Sequence, residues 1–306
     1  MTAAASAAVA PPSSAPRRWP GLALALCGSI AFSGKAVIVK LAYRHGVDPV
    51  TLIMYRMLFA LPLFALLAWW AGRGKPRLTR REMLALVGLG FSGYYLASLL
   101  DFMGLALISA SLERLILYLN PTIVLALSAL FLGKKVNGRQ VLALAFSYAG
   151  VVLVFGQELK LEGQSVAAGT LLVFGSAVSY AIYLVLSGEW VQRLGAMRLA
   201  GWAGCMACMF CIAHFLIVNP WASARVAEPV LWLSVLNATA CTVAPVWMVM
   251  MAIARIGPSL TSQAGMIGPM STITMGVVFL NEPFTPLLVA GTALVLTGVW
   301  LLARSR

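Results

Sequence analysis

Between residues 20 and 303 the chain passes ten times through an apolar stretch long enough to cross a lipid bilayer, and little else can be folded from such a pattern. A hydrocarbon core about 30 Å thick needs roughly 20 apolar residues per helix. The windows run near 20–43, 49–71, 81–106, 109–133, 138–156, 166–187, 197–218, 229–253, 258–280 and 285–303. Turn chemistry separates them: Asp48-Pro49, Gly72 to Pro76, Asn137-Gly138, Asn219-Pro220, Gly257-Pro258 and Asn281-Glu282-Pro283. The third and fourth windows nearly touch. The expected fold is an all-α integral membrane protein of ten transmembrane helices.

Charge supports this. Only 10% of residues are charged against 61% apolar, too few to hydrate a soluble surface. The net charge of +13 comes in short clusters between apolar runs, which argues for membrane topology and against nucleic acid as a partner. With the amino terminus inside, inner segments carry fifteen basic residues and outer segments four, namely Lys40, Arg44, Lys160 and Arg225. Both termini are therefore expected in the cytoplasm and the protein in the inner (plasma) membrane. Residues 1–19, rich in Ala, Pro and Ser, read as a disordered cytoplasmic tail.

Sliding the chain against itself by 148 residues aligns Pro121 with Pro269, Phe131-Leu132 with Phe279-Leu280 and Gly150-Val151 with Gly298-Val299. The same shift pairs Gly21 with Gly169 and Val37 with Val185, without a gap. The expected organisation is a five-helix repeat at 20–156, an outer connection at 157–165, a second repeat at 166–303 and a short carboxyl terminus at 304–306. An odd number of crossings turns the second copy over, giving two inverted repeats around a central cavity, the architecture of alternating access.

Phe32-Ser33-Gly34-Lys35 in the first helix, Pro49 and Arg56 in the second, and the doubled Pro, Phe-Leu and Gly positions carry a resemblance to the drug/metabolite transporter superfamily, in its ten-helix EamA-like branch. Lys134 stands where the first half of that family usually has Glu, and Asn281 where the second half usually has Gly. The resemblance implies transport, commonly efflux, of amino acids, other metabolites or drugs, and similar members include exporters of aromatic amino acids.

Ionisable residues inside spans are functional candidates because lipid penalises charge. Lys35 has two readings: it snorkels outward along its stem, or it faces the cavity and attracts a substrate carboxylate. Arg56 suits a structural pair or a carboxylate contact. Asp101, Glu113 and Arg114 cluster at the outer turn between helices 3 and 4, as an ion pair or a gate. Ser176, Tyr180, Tyr183 and Ser187 share one face of helix 6, as Tyr94, Ser98 and Asp101 do on helix 3. With Tyr118 and Trp247 they sketch an aromatic-lined binding site. Pro121 and Pro269 are expected to kink matching helices.

Other motifs dissolve under geometry. Gly88 to Gly93 spells a dinucleotide fingerprint but lies inside a span, with no preceding strand. Cys205, Cys208, Cys211 and His214 would extend about 13.5 Å along a helix and point about 180° apart, beyond the reach of one metal ion. Asn237-Ala238-Thr239 matches a glycosylation acceptor only by chance inside helix 8. No cofactor, nucleotide site or enzyme chemistry is expected.

The expected function is a secondary exporter of small metabolites, foremost aromatic or other zwitterionic amino acids. A proton-coupled exporter of lipophilic cations is the alternative, ranked lower because no Asp or Glu falls in the middle of a helix. A facilitator is distinguishable only by flux kinetics.

Overall fold

The computed structural model describes residues 18–133, 136–162 and 165–304, and the described residues form a helical bundle. In chain order the helices are α1 (Arg18–Tyr43), α2 (Pro49–Gly72), α3 (Arg80–Leu105), α4 (Ala110–Phe131), α5 (Gly138–Glu162), α6 (Ser165–Leu194), α7 (Ala196–Val218), α8 (Glu228–Val249), α9 (Gly268–Leu280) and α10 (Pro286–Arg304). Among the described residues nine are long and apolar enough to span a bilayer, and α9 is shorter. Caps fall where the sequence supplies them. Thr79 and Glu82 close a capping box on α3, and Ser109 accepts a hydrogen bond from the Leu112 amide to start α4.

Three expected boundaries move. The tail placed at 1–19 lies outside the described residues up to residue 17, and α1 already begins at Arg18. The connection placed at 157–165 is mostly helix, because α5 continues to Glu162 and α6 starts at Ser165. Gln157 to Glu162 contains neither Gly nor Pro, and its Gln, Glu, Leu and Lys favour helix although they are too polar for the apolar window. Gly257-Pro258 is no gap either: helical backbone is continuous over Ala244–Gly265. The chain nevertheless reverses there. Gly28 of α1 lies against Met248 and Val249 and Gly21 against Arg255 and Ile256, whereas Gly265 is back beside Ser29 and Gly268 beside Ser33.

The shift of 148 residues recurs in three dimensions. α1 packs along α8 and its continuation as α6 packs along α3 and α4, while α2 pairs with α7 and α5 with α10. Individual contacts obey it. A Cβ on Gly150 would stand 2.5 Å from the Gly291 carbonyl oxygen, and one on Gly298 2.6 Å from that of Ala143. Gly21 approaches Ile256 as Gly169 approaches Ile108. In each case one contact maps onto the other when the halves are exchanged, which is a pseudo-twofold relation. Small residues let these helix pairs approach without side chains between them.

The backbone irregularities also repeat. α3 contains a π turn at Phe91–Leu96 and α8 one at Thr239–Val243, 148 positions later. α4 is interrupted between Leu117 and Asn120, and helix breaks again between Gly265 and Gly268. Pro121 and Pro269 sit in the first turn of the resumed helices, so the expected kinks take the form of breaks.

Candidate functional site

Five ionisable side chains from the first half gather in the interior. The Lys35 ammonium of α1 pairs with Asp101 of α3 and stands 3.2 Å from Glu113 of α4. The three residues are 6%, 2% and 0% exposed, so water does not screen them. Lys35 therefore neither snorkels nor lies free in this conformation. Asp101 Oδ1 and Glu113 Oε2 have no hydrogen-bond partner, and Glu113 Oε1 meets Lys35 by proximity without hydrogen-bond alignment.

Arg114 turns away from the neighbouring carboxylates. Its Nε donates to Thr272 Oγ1 at 2.9 Å and its Nη2 to the Phe32 carbonyl at 3.2 Å, tying α4 to α9 and α1. Arg56 of α2 donates from Nε to Thr242 Oγ1 in the π turn of α8 at 3.1 Å and lies 5.2 Å over the Phe102 ring, next in sequence to Asp101. Its Nη1 has no partner. The interior thus holds three cationic and two acidic side chains, with unmatched donor and acceptor atoms of both signs.

The two helix breaks meet beside this centre. Helical geometry would have the amide of residue 269 bond the carbonyl of Gly265, but Pro269 has no N–H. The Tyr118 hydroxyl, at the break of α4, donates to that carbonyl at 2.6 Å. The carbonyl that Pro121 frees, that of Leu117, accepts from the Asn120 side chain at 2.7 Å. Gly268 is required here, since a Cβ would come 2.5 Å from the Tyr118 oxygen. Tyr118 is thereby held in a contact between the halves.

Tyr94, Tyr180 and Tyr183 form one cluster. Tyr94 meets Tyr183 edge-on at 5.3 Å, Tyr180 stacks on Tyr183 at 5.5 Å, and Phe64 joins from α2 at 6.5 Å from Tyr94. Gly93 lies directly against the Tyr183 ring, so the π turn of α3 brings backbone and ring together. Trp247 is 45% exposed, and none of the described ring contacts joins it to this cluster. His214, with Cys211 on the same helix, is taken up by the Tyr95 hydroxyl, 2.8 Å from Nδ1.

Sequence reasoning missed the residues that seal one end. A cavity of about 380 Å³ lies there, lined by Lys40, Tyr43, Arg44, Glu158, Glu282 and neighbours from α4, α5 and α10. Glu282 accepts from the Ala110 amide at 2.7 Å, the Ser111 amide at 3.2 Å and the Ser111 hydroxyl at 2.6 Å. Glu158 accepts from the Ser109 hydroxyl and amide. Two carboxylates thus clamp the positive amino-terminal end of α4. Glu282 was visible as a motif position, but its partner 171 residues away was not. Lys134, at the related position of the first half, lies outside the described residues. The Tyr43 hydroxyl, on the cavity wall, donates to the Phe102 carbonyl at 2.7 Å, which places the charge centre just below.

A family model described as the EamA-like transporter family matches residues 19–156 and again 167–304. The uncharacterized transporter YcbK of Bacillus subtilis is 30% identical over 273 residues, covering 86% of each chain. A WAT1-related protein of Arabidopsis thaliana is 27% identical over 60% of this chain and 62% of its own. A solved structure titled only as a crystal structure of protein superposes with a TM-score of 0.63 at 18% identity, over 92% of this chain and 97% of the other, which shows a shared fold.

Proposed function

The chain belongs to the EamA-like transporter family, and on that premise we propose that it is a secondary transporter that exports small metabolites by alternating access, with aromatic or other zwitterionic amino acids as the substrate class. The observation that carries the reading is the buried charge centre, set where the two broken helices touch. A zwitterion presents one carboxylate and one ammonium. Lys35 and the free Nη1 of Arg56 match the first, and the unpartnered oxygens of Asp101 and Glu113 match the second. Substrate would replace the internal ion pairs with its own, so the cost of burying charge is met in both the empty and loaded states. The Tyr94, Tyr180 and Tyr183 rings supply an aromatic surface on the adjoining helices.

The experiment is counterflow in liposomes that hold only the purified protein, with each labelled amino acid tested against an internal excess of the unlabelled one. Saturable counterflow of tryptophan, tyrosine or phenylalanine is expected, reduced at least tenfold in Lys35→Ala while elution in detergent stays monodisperse. Normal transport by that variant would remove Lys35 from substrate binding. Non-saturating flux without counterflow would make the protein a facilitator.

A second reading has its own support. Two buried carboxylates face one ammonium, so a proton can take the place of an organic cation on the spare carboxylate. Asp101 and Glu113 lie near helix ends, which ranks this reading second, but both are buried beside Lys35. Substrate efflux that acidifies the compartment the substrate leaves, abolished in Glu113→Gln, would favour this reading.

A further inference from the structure

At the end of the bundle opposite the 380 Å³ cavity, a second hollow of about 370 Å³ lies between the carboxyl-terminal end of α2, the α2–α3 connection and α7. Three cations line it: Lys75, Arg77 and Arg198. Among the described residues none of the three has an ion-pair partner. Arg198 is the anchor. It is 8% exposed, its Nη2 donates to the Pro76 carbonyl at 2.7 Å, and its Nε has no partner at all. A buried guanidinium with a spare donor is costly unless an anion completes it.

Trp69 and Trp202 line the same hollow. Leu66, Trp69 and Trp70 of α2 turn more than half their surface outward, forming an apolar track that ends at the cations. Tryptophan at the boundary of an apolar track marks the headgroup level of a bilayer. A basic pocket at that depth selects an anionic headgroup, and the track beside it accepts acyl chains.

We propose that this hollow binds the phosphate headgroup of an anionic phospholipid, held by Arg198, Lys75 and Arg77. Such a lipid bridges the halves, because α2 and the α2–α3 connection belong to the first and α7 to the second. It closes them together at the end opposite the Glu282 clamp. The proposal stands on charge, burial and position, and does not depend on which solute is carried.

The test uses the full chain in neutral detergent, with native mass spectrometry to count retained lipid and thermal unfolding to read stabilisation. The probes are phosphatidylglycerol, phosphatidylcholine with the same chains, and inorganic phosphate. Phosphatidylglycerol is expected to bind at least tenfold tighter than phosphatidylcholine and to raise the unfolding temperature. Lys75→Gln and Arg77→Gln should each weaken it about fivefold, the size of one basic contact at a charged surface. Arg198→Gln should weaken it further, and Arg304→Gln, with its charge outside the hollow, should leave it unchanged. Equal binding of the two lipids would overturn the proposal, as would unaltered affinity in Lys75→Gln and Arg77→Gln or an equal loss in Arg304→Gln. Displacement of the lipid by millimolar phosphate would reassign the hollow to a soluble anion.

Discussion

Adjacent residues on a helix point about 100° apart, and this decides how the charge centre is wired. Glu113 faces Lys35 of α1, so Arg114 must face elsewhere, and it reaches Thr272 and the Phe32 carbonyl. The sequence offered Arg114 as the partner of Asp101 or Glu113, but the cation beside both carboxylates is Lys35, which the sequence did not place among them. The reason is physical: the partner of Lys35 lies 66 residues away, and periodicity along α1 does not say which helix its face meets. Asp48, outside the spans, was more legible, as Asp before Pro predicts a helix cap. Its side chain accepts from the Thr51 amide at 3.0 Å and from Asn219 of the other half at 3.1 Å. Burial raises its pKa, but the hydrogen bonds from Thr51, Asn219 and Val50 outweigh this and set it below its ordinary value. A lowered folded-state pKa means that the stabilisation is complete above the ordinary carboxylate range and is lost as pH falls through the lowered value. Asp48→Ala should cost about 1 kcal/mol at neutral pH. Asp48→Asn should flatten the loss of stability below about pH 4, as followed by thermal unfolding across pH. An unchanged acid profile in Asp48→Asn would show that this carboxylate is not the group responsible.

At the scale of the element, the prolines were legible and the π turns were not. Pro121 and Pro269 announce interruptions because each removes an amide, whereas Phe91–Leu96 and Thr239–Val243 contain no breaker at matching positions. A π turn is fixed by what packs on it, as Tyr183 does on Gly93, and one chain's sequence does not display its neighbours. The Tyr118 bond to Gly265 makes a sharp prediction. Tyr118→Phe leaves the carbonyl that Pro269 frees without a donor in an apolar interior, at a cost of about 1–3 kcal/mol. In Pro269→Ala the restored amide can take that carbonyl, so Tyr118→Phe should cost much less there. A thermal-unfolding cycle of the four proteins reads the coupling. Additive effects would show that Tyr118 and Pro269 do not share the Gly265 carbonyl.

For the whole molecule, the apolar windows and the 148-residue shift carried most of the fold, because length against bilayer thickness and an ungapped repeat are both properties of one chain. What the shift could not supply was contact. That Gly150 meets Gly291 while Gly298 meets Ala143 is a statement about exchanged halves, and it emerges only in three dimensions. The central claim is that these halves enter the membrane in opposite senses, which is what lets a shared site between them face each side in turn. His45 and Arg193 are exposed residues at equivalent places in the two copies, after α1 and at the end of α6. The direct measurement is labelling of His45→Cys and Arg193→Cys, each in a Cys27→Ser background, by a membrane-impermeant maleimide added to intact spheroplasts. The account predicts that position 45 is modified from outside and position 193 only after permeabilisation. Modification of both from the same side would contradict it.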